Sequence, residues 1–340
     1  MTAHGLRVPR ARGEEVRRDL ADAGLLRGDL EIGHEGEYLV LPIVEDAEGV
    51  PPSWGEVVER EFHPQAAKGP LRYRDLLPWS VADKEALPRS FDVVGDIVLI
   101  RLPAELEPRK EAVGDALLRF VPGARLVGLD RGVQGPERRR NVERIAGAGP
   151  WRTRHRENGL ELEVDVEKAY FSPRLAREHA KVAEEVGVGE RVYDLCCGVG
   201  PVAVTIAHLG RPTAVTAVDA NPDAVGLLRV TLARYPFGGR VTPVNARLEE
   251  FLPHASPVER VVLNLPHEGI KYLPSVARTV APGGRLYYFE VTPRTELAGR
   301  GVALVNLLRP AGEFEVAREE VVHPYSPGSD LVAYVLERSR

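Results

Sequence analysis

Residues Arg191 to Asp219 read RVYDLCCGVGPVAVTIAHLGRPTAVTAVD. Arg191–Leu195 forms a short apolar strand, Gly198–Gly200 a glycine turn, Val202–Leu209 a helix and Thr213–Asp219 a second strand. This is a βαβ unit, and the pattern continues downstream. Asn221-Pro222 starts a helix with an N-cap residue followed by proline in the first turn. Arg240–Val244, Val258–Leu263 and Arg285–Val291 supply further strands, separated by helical stretches. The alternation implies a mainly parallel sheet with helices on both faces, and ligands then lie beyond the carboxyl ends of the strands.

Upstream of this third domain, residues 167–340, the chain divides into two smaller α/β modules. Residues 1–79 carry a helix over Glu14–Ala23, an apolar stretch from Tyr38 to Val44, and a Pro- and Trp-punctuated region ending near Trp79. A linker, Ser80–Arg89, has mixed charge and a proline. Residues 90–166 carry a buried strand over Phe91–Leu102, a helix over Arg109–Val121, a strand over Ala124–Leu129, and two strand-like stretches, Thr153–His155 and Leu160–Val166. A chain of 340 residues with 44% hydrophobic content exceeds one ordinary core, in keeping with that division.

No apolar run approaches the roughly 20 residues that a membrane-spanning helix needs, and the N-terminus MTAHGLRVPRARG lacks the apolar stretch of a secretory signal. A cytoplasmic protein is expected. The only cysteines, Cys196 and Cys197, are adjacent, which excludes a disulfide framework or a four-ligand zinc site; they read as small buried hydrophobes, and no structural metal is expected. A net charge of -5 argues against a uniformly basic surface. Locally the balance reverses: Arg125, Arg131, Arg138, Arg139, Arg140, Arg144, Arg152, Arg154 and Arg156 face only Asp130, Glu137 and Glu143. Such a run serves more often as a solvated face than as a binding site, but arginine in place of lysine throughout favours phosphate or base contact.

In VYDLCCGVGP, Asp194 stands near the end of the first strand, and Gly198 and Gly200 let the backbone approach a ligand. The third glycine of the dinucleotide fingerprint is missing, and the second strand ends in Asp219 about twenty residues on, where an acid accepts from both ribose hydroxyls. Asn245 ends the third strand, where an acceptor meets an adenine amino group. Asn264-Leu265-Pro266 ends the fourth, at the position of the substrate-facing motif of amino-group methyltransferases. Four ligand-type residues at four strand ends point to a Rossmann-like class I methyltransferase domain that binds S-adenosylmethionine.

The stretches FDVVGDIVLI, RRRNVERIAG, HRENG, KAYFSPRLAREHAKVA, DLCCGVGPVAV, VDANPDAV and NLPHEGIKYL, in that order between about residues 90 and 275, resemble the archaeal-type tRNA (guanine-37-N1)-methyltransferases. The combination of FSPRLAxE with GVGP and NLP is specific. The resemblance implies methylation of N1 of the guanosine 3′ of the anticodon. It implies Glu178 as general base, Arg138 as catalytic arginine (Arg140 if the local alignment slips), and Asn264 and Pro266 shaping the guanine pocket. Tyr170, Phe171, Asp194, Gly198, Gly200, Asp219, Asn245 and Asn264 fall at or near cofactor positions. Two departures stand out: Asn245 where an aspartate is usual, and His179 where an arginine often follows the glutamate.

N1 of guanine carries a proton, so a base must remove it while negative charge develops toward O6; a carboxylate suits the first task and an arginine the second. The target base has to be splayed out of the anticodon loop, with Arg131 to Arg156 tracking the backbone. Residues 1–79 are expected to grip a distant part of the tRNA, in a monomer without an obligate protein partner. The nearest rival is a wybutosine-pathway enzyme acting at the same position, either an aminocarboxypropyl transferase or a dual guanosine/imidazoguanosine methyltransferase. A silent RNA-binding module is opposed by intact Asp219, Asn264 and Glu178, and a DNA or protein methyltransferase by the absence of N-P-P-Y.

Overall fold

The computed structural model describes residues 2–44, 50–64, 72–135, 139–209 and 214–339. The chain separates into two compact units, Met1–Asp75 and Leu76–Arg340.

The first unit contains β1 (Thr2–Pro9), α1 (Gly13–Asp22), β2 (Gly33–Glu35), β3 (Tyr38–Pro42) and β4 (Glu56–Glu61), with the described strands in antiparallel order β2-β3-β1-β4. Its core is made by Leu6, Val8, Leu41 and Ile43 against Val16 and Leu20 of α1, the i and i+4 positions that one helix face requires.

The second unit opens with α2 (Val81–Ala86), inside the expected linker, where Ser80 caps the helix by accepting from the Asp83 backbone N–H at 3.1 Å. The single strand expected over Phe91–Leu102 is instead a hairpin, β5 (Asp92–Val94) and β6 (Ile97–Ile100), paired antiparallel. Gly95 causes the reversal: its φ is +57°, and a Cβ there would lie 2.2 Å from Thr153 Oγ1, so the chain turns where only glycine fits. Then come α3 (Lys110–Phe120), β7 (Leu126–Gln134) and β8 (Arg139–Gly147), completing a mixed sheet of order β5-β6-β7-β8. A separate hairpin, β9 (Arg152–Glu157) and β10 (Leu160–Asp165), leads to α4 (Ala176–Glu185).

The remaining elements alternate: β11 (Arg191–Leu195), α5 (Pro201–Leu209), β12 (Ala214–Asp219), α6 (Pro222–Leu232), β13 (Val241–Asn245), α7 (Leu248–Phe251), β14 (Val258–Leu263), α8 (Leu273–Ala277), β15 (Val280–Pro293), α9 (Leu297–Leu308), β16 (Phe314–Ser326) and β17 (Ser329–Arg338). Among the described residues they build a sheet of order β13-β12-β11-β14-β15-β17-β16, parallel through β15, with β17 antiparallel to both its neighbours. The strand order reverses at β11, between β12 and β14, and a crevice opens there. Helix α5 is buried from Pro201 through Ala207, which explains its apolar composition all round. Its hydroxyl at Thr205 bonds back to Pro201 O at 2.8 Å.

One hydrophobic cluster runs from Val94, Ile97 and Leu126 of the mixed sheet through Leu160 and Leu162 of the β9–β10 hairpin to Val199, Val215 and Val262. Sequence suggests a division near residue 166, whereas packing joins 90–166 to the catalytic fold.

Candidate active site

The carboxyl ends of β11, β12 and β14 open into a cavity of about 780 Å3. Its wall includes Gly198, Asp219, Asn264 and Pro266 from those ends, Tyr170 and Phe171 from the segment before α4, Asp130 and Arg140 from β7 and β8, and His323 to Ser326 at the tip of the β16–β17 hairpin.

Asp219 holds the glycine turn from below. Its Oδ2 accepts from Gly198 N at 2.7 Å and its Oδ1 from Asn221 N at 2.8 Å. Two backbone donors at one carboxylate fix its orientation, suited to ribose hydroxyls. Asn221 caps α6 as expected, accepting from Asp223 N and Ala224 N; its Nδ2 also donates to Lys168 O at 2.8 Å, which fixes the approach to Tyr170 and Phe171. Gly198 and Gly200 have φ of +57° and +79°.

Asp194 sits beneath the turn, fully buried, and accepts from Ala203 N at 3.1 Å in the first turn of α5. Burial pushes its carboxyl up to about 7, with the Ala203 bond opposing and nearby Asp219 adding. Among the described residues it is not on the cavity wall, nor are Gly200, Glu178 and Asn245. Asn245 Nδ2 donates to Asp219 O and Ala220 O, both at 3.0 Å. An ionised aspartate could not make those bonds, so this departure ties the Asp219–Ala220 turn to β13.

The NLP segment is held by its own backbone: Pro266 O accepts from Val291 N at 3.0 Å, and Leu265 O from Gly269 N at 2.8 Å. Burial drives both thiols, Cys196 and Cys197, well above the ordinary range, in keeping with inert hydrophobes.

Glu178 is buried in the first turn of α4, its Oε1 3.0 Å from Lys181 Nζ, and Lys181 also pairs with Glu320 at 2.6 Å. Arg138 lies outside the described residues. Arg140 is buried: Nη1 donates to Asp130 Oδ2 at 2.8 Å, Nη2 to Phe171 O at 2.7 Å, and its guanidinium lies 5.1 Å from the Tyr170 ring centroid. Much of the arginine-rich segment is neutralised by acids distant in sequence, as with Arg125–Asp96, Arg131–Glu107 and Arg152–Glu163.

The site also recruits residues that sequence reasoning missed. His179 and Asp130 line the cavity, and His267 Nε2 lies 3.0 Å from Tyr325 Oη across the β14 loop and the hairpin tip. His179 had a signal, the histidine where an arginine often stands. Tyr325 had none, because it arrives from a strand pair closed late in the chain.

The chain matches the TRM5/TYW2 methyltransferase domain over residues 153–316, the TYW2 N-terminal domain over 73–150 and the tRNA methyltransferase 5 N-terminal domain over 5–51. It is 31% identical to tRNA (guanine(37)-N(1))-methyltransferase Trm5b of Pyrococcus abyssi, covering 95% of each chain. The crystal structure of that enzyme superposes with a TM-score of 0.79 at 29% identity, over 99% of this chain and 100% of the other. A complex of aTrm5 with tRNALeu gives a TM-score of 0.74 at 27% identity, over 98% and 99%. Methanocaldococcus jannaschii Trm5 in complex with adenosine gives 0.67 at 26% identity, over 99% of each chain. With Asp219, Gly198 and the NLP loop lining one cavity and the relatives matching over nearly the whole chain, the chain belongs to the archaeal-type tRNA (guanine-37-N1)-methyltransferase family.

Proposed function

We propose that the protein transfers the methyl group of S-adenosylmethionine to N1 of guanosine 37 in tRNA. The observation that carries this is the cavity itself: Asp219 and the glycine turn, suited to a nucleoside, share one wall with Asn264 and Pro266, suited to a planar base. When bound, the cofactor supplies an electrophilic methyl group. The chain's residues hold that methyl near N1, deprotonate N1 and offset charge at O6.

Glu178 is the proposed general base. Its carboxylate is shared with Lys181, so its approach to N1 goes with release of that pair as the RNA enters. Arg138 is the proposed donor to O6. Arg140 is better suited to positioning, since both of its terminal nitrogens hold protein acceptors and pin Phe171 beside the cavity. Met1–Asp75 is proposed to grip a part of the tRNA distant from the anticodon, in a monomer.

The deciding experiment uses unmodified tRNA transcripts with G or A at position 37 and cofactor labelled either on the methyl or on the aminocarboxypropyl group, followed by nucleoside analysis. Methyl label in 1-methylguanosine from the G37 transcript alone is the expected result. Aminocarboxypropyl label in the RNA supports the wybutosine-pathway rival, and label in neither RNA defeats the guanosine-37 reading.

A further inference from the structure

Lys181 stands between two carboxylates that come from distant parts of the chain. Its Nζ lies 3.0 Å from Glu178 Oε1, one turn back on α4, and donates to Glu320 Oε1 on β16 at 2.6 Å. The Glu178 side chain is 7% exposed, that of Lys181 22% and that of Glu320 38%. Hydrogen bonds to Glu320 first and Glu178 second hold the ammonium above its ordinary range, and Lys181 in turn holds the Glu320 carboxyl below its own. Two further cations act on Glu320: Arg318, with Nε 4.0 Å from Oε2, and Arg177, exposed on α4. Arg318 has a counter-ion of its own in Glu185, which also accepts from Tyr287 Oη and lies near Arg285.

The charge balance of this triad bears on the proposed base. With Glu178, Lys181 and Glu320 all ionised, the set carries one net negative charge, and accepting the N1 proton on Glu178 brings it to zero. A Glu178–Lys181 pair alone would start at zero and end with an uncompensated ammonium in a partly buried place, where an unpaired charge is costly. Leu175 and His179 of the same segment line the cavity, while Glu178 does not. To act on a base in the cavity, Glu178 has to give up Lys181, and Glu320 is the acceptor that keeps the ammonium satisfied when it does.

We propose that Glu320 is a positioning residue for methyl transfer: through Lys181 it supplies the counter-charge that lets Glu178 leave its ion pair and take the N1 proton. The proposal rests on the reading of Glu178 as general base. Its test is the single-turnover rate of methyl transfer to a G37 transcript at saturating tRNA and cofactor. Glu320→Gln keeps size and an acceptor oxygen but removes the charge, leaving Lys181 to Glu178. The rate should fall about tenfold to a hundredfold, with the Kd for tRNA and for cofactor unchanged. Lys181→Met added to that variant frees Glu178 again, so the double variant should recover about tenfold or more. Glu320→Asp retains the charge and should stay closer to wild type than Glu320→Gln. Glu320→Thr suits a strand and carries the same expectation if Glu320→Gln does not fold. A defect under about threefold on removing the charge overturns the proposal, as does a double variant no faster than the single one, which would mark Glu320 as merely structural. Full activity in Glu178→Gln is a different failure, that of the general-base reading, and absence of methyl transfer by the wild-type protein is that of the guanosine-37 reading.

Discussion

Single atoms decide three outcomes at the site. Asp219→Ala removes the proposed acceptor for both ribose hydroxyls and the observed acceptor for the Gly198 and Asn221 backbone donors; cofactor affinity should fall by about 1.5 to 3 kcal/mol, and unchanged affinity by calorimetry would remove the ribose assignment. Glu178→Gln keeps size while removing the proposed base, so the single-turnover rate at saturating tRNA and cofactor should fall about 10² to 10⁴-fold with little change in tRNA affinity. Arg138→Ala should lower the same rate about 10² to 10³-fold; a phosphate-binding arginine would instead weaken binding and flatten its salt dependence. A defect under about threefold in Glu178→Gln would end the base assignment. Asp194 makes a pH-dependent contribution. Its carboxyl is raised by burial to about 7 from an ordinary 3.8, so folding favours the protonated form, and that stabilisation is complete below the ordinary value and lost as pH rises toward 7. Asp194→Asn does not titrate. Its melting temperature relative to wild type should therefore climb between pH 4 and pH 7 and level off above, a change worth at most about 4 kcal/mol; a pH-independent difference would contradict the burial argument.

At the scale of elements, the β11–α5 turn must satisfy two demands, a close approach to ligand and a close approach to α6. A Cβ on Gly200 would sit 2.4 Å from Leu228 Cδ1, and Leu228 is fully buried. A Cβ on Gly198 meets nothing nearer than Tyr170 O at 3.5 Å and lies on the cavity wall. Both glycines have positive φ, so alanine strains the backbone at either, but only at Gly200 does it also overpack the core. Gly200→Ala should cost about 2 to 4 kcal/mol by denaturant unfolding. Gly198→Ala should cost distinctly less stability and show its main effect on cofactor affinity. Equal stability losses would mean that the turn, not the packing against α6, sets the requirement.

For the whole molecule, the boundary at Asp75 predicts separable functions. Removing residues 1–75 should leave cofactor affinity intact and weaken methylation of full-length tRNA, with a smaller effect on an anticodon stem-loop; equal losses on both RNAs would mean that the first unit supports the catalytic fold instead. The parallel α/β sheet and the glycine turn were legible in sequence, because they depend on local pattern: alternating strand and helix place successive strand ends on one edge. There Asp219 and Asn264 reach the crevice, while Asp194 and Asn245 are turned away from it by the Ala203, Asp219 and Ala220 backbone groups they bond. The Gly95 reversal was hidden inside a continuous apolar run, since its cause is the backbone of Arg154 and the hydroxyl of Thr153 crossing close by. The partners of the arginine segment were illegible for the same reason, as acids such as Asp96 and Glu107 come from outside it. On α4 sequence could place Glu178 and His179 side by side without saying which faces the cavity. That was decided by Lys181 and Glu320 holding Glu178, and by Glu157 at a hairpin tip holding His179. Strand ends follow from chain order, but the orientation of a side chain between competing charges depends on contacts between residues far apart in sequence, and these exist only once the fold has closed.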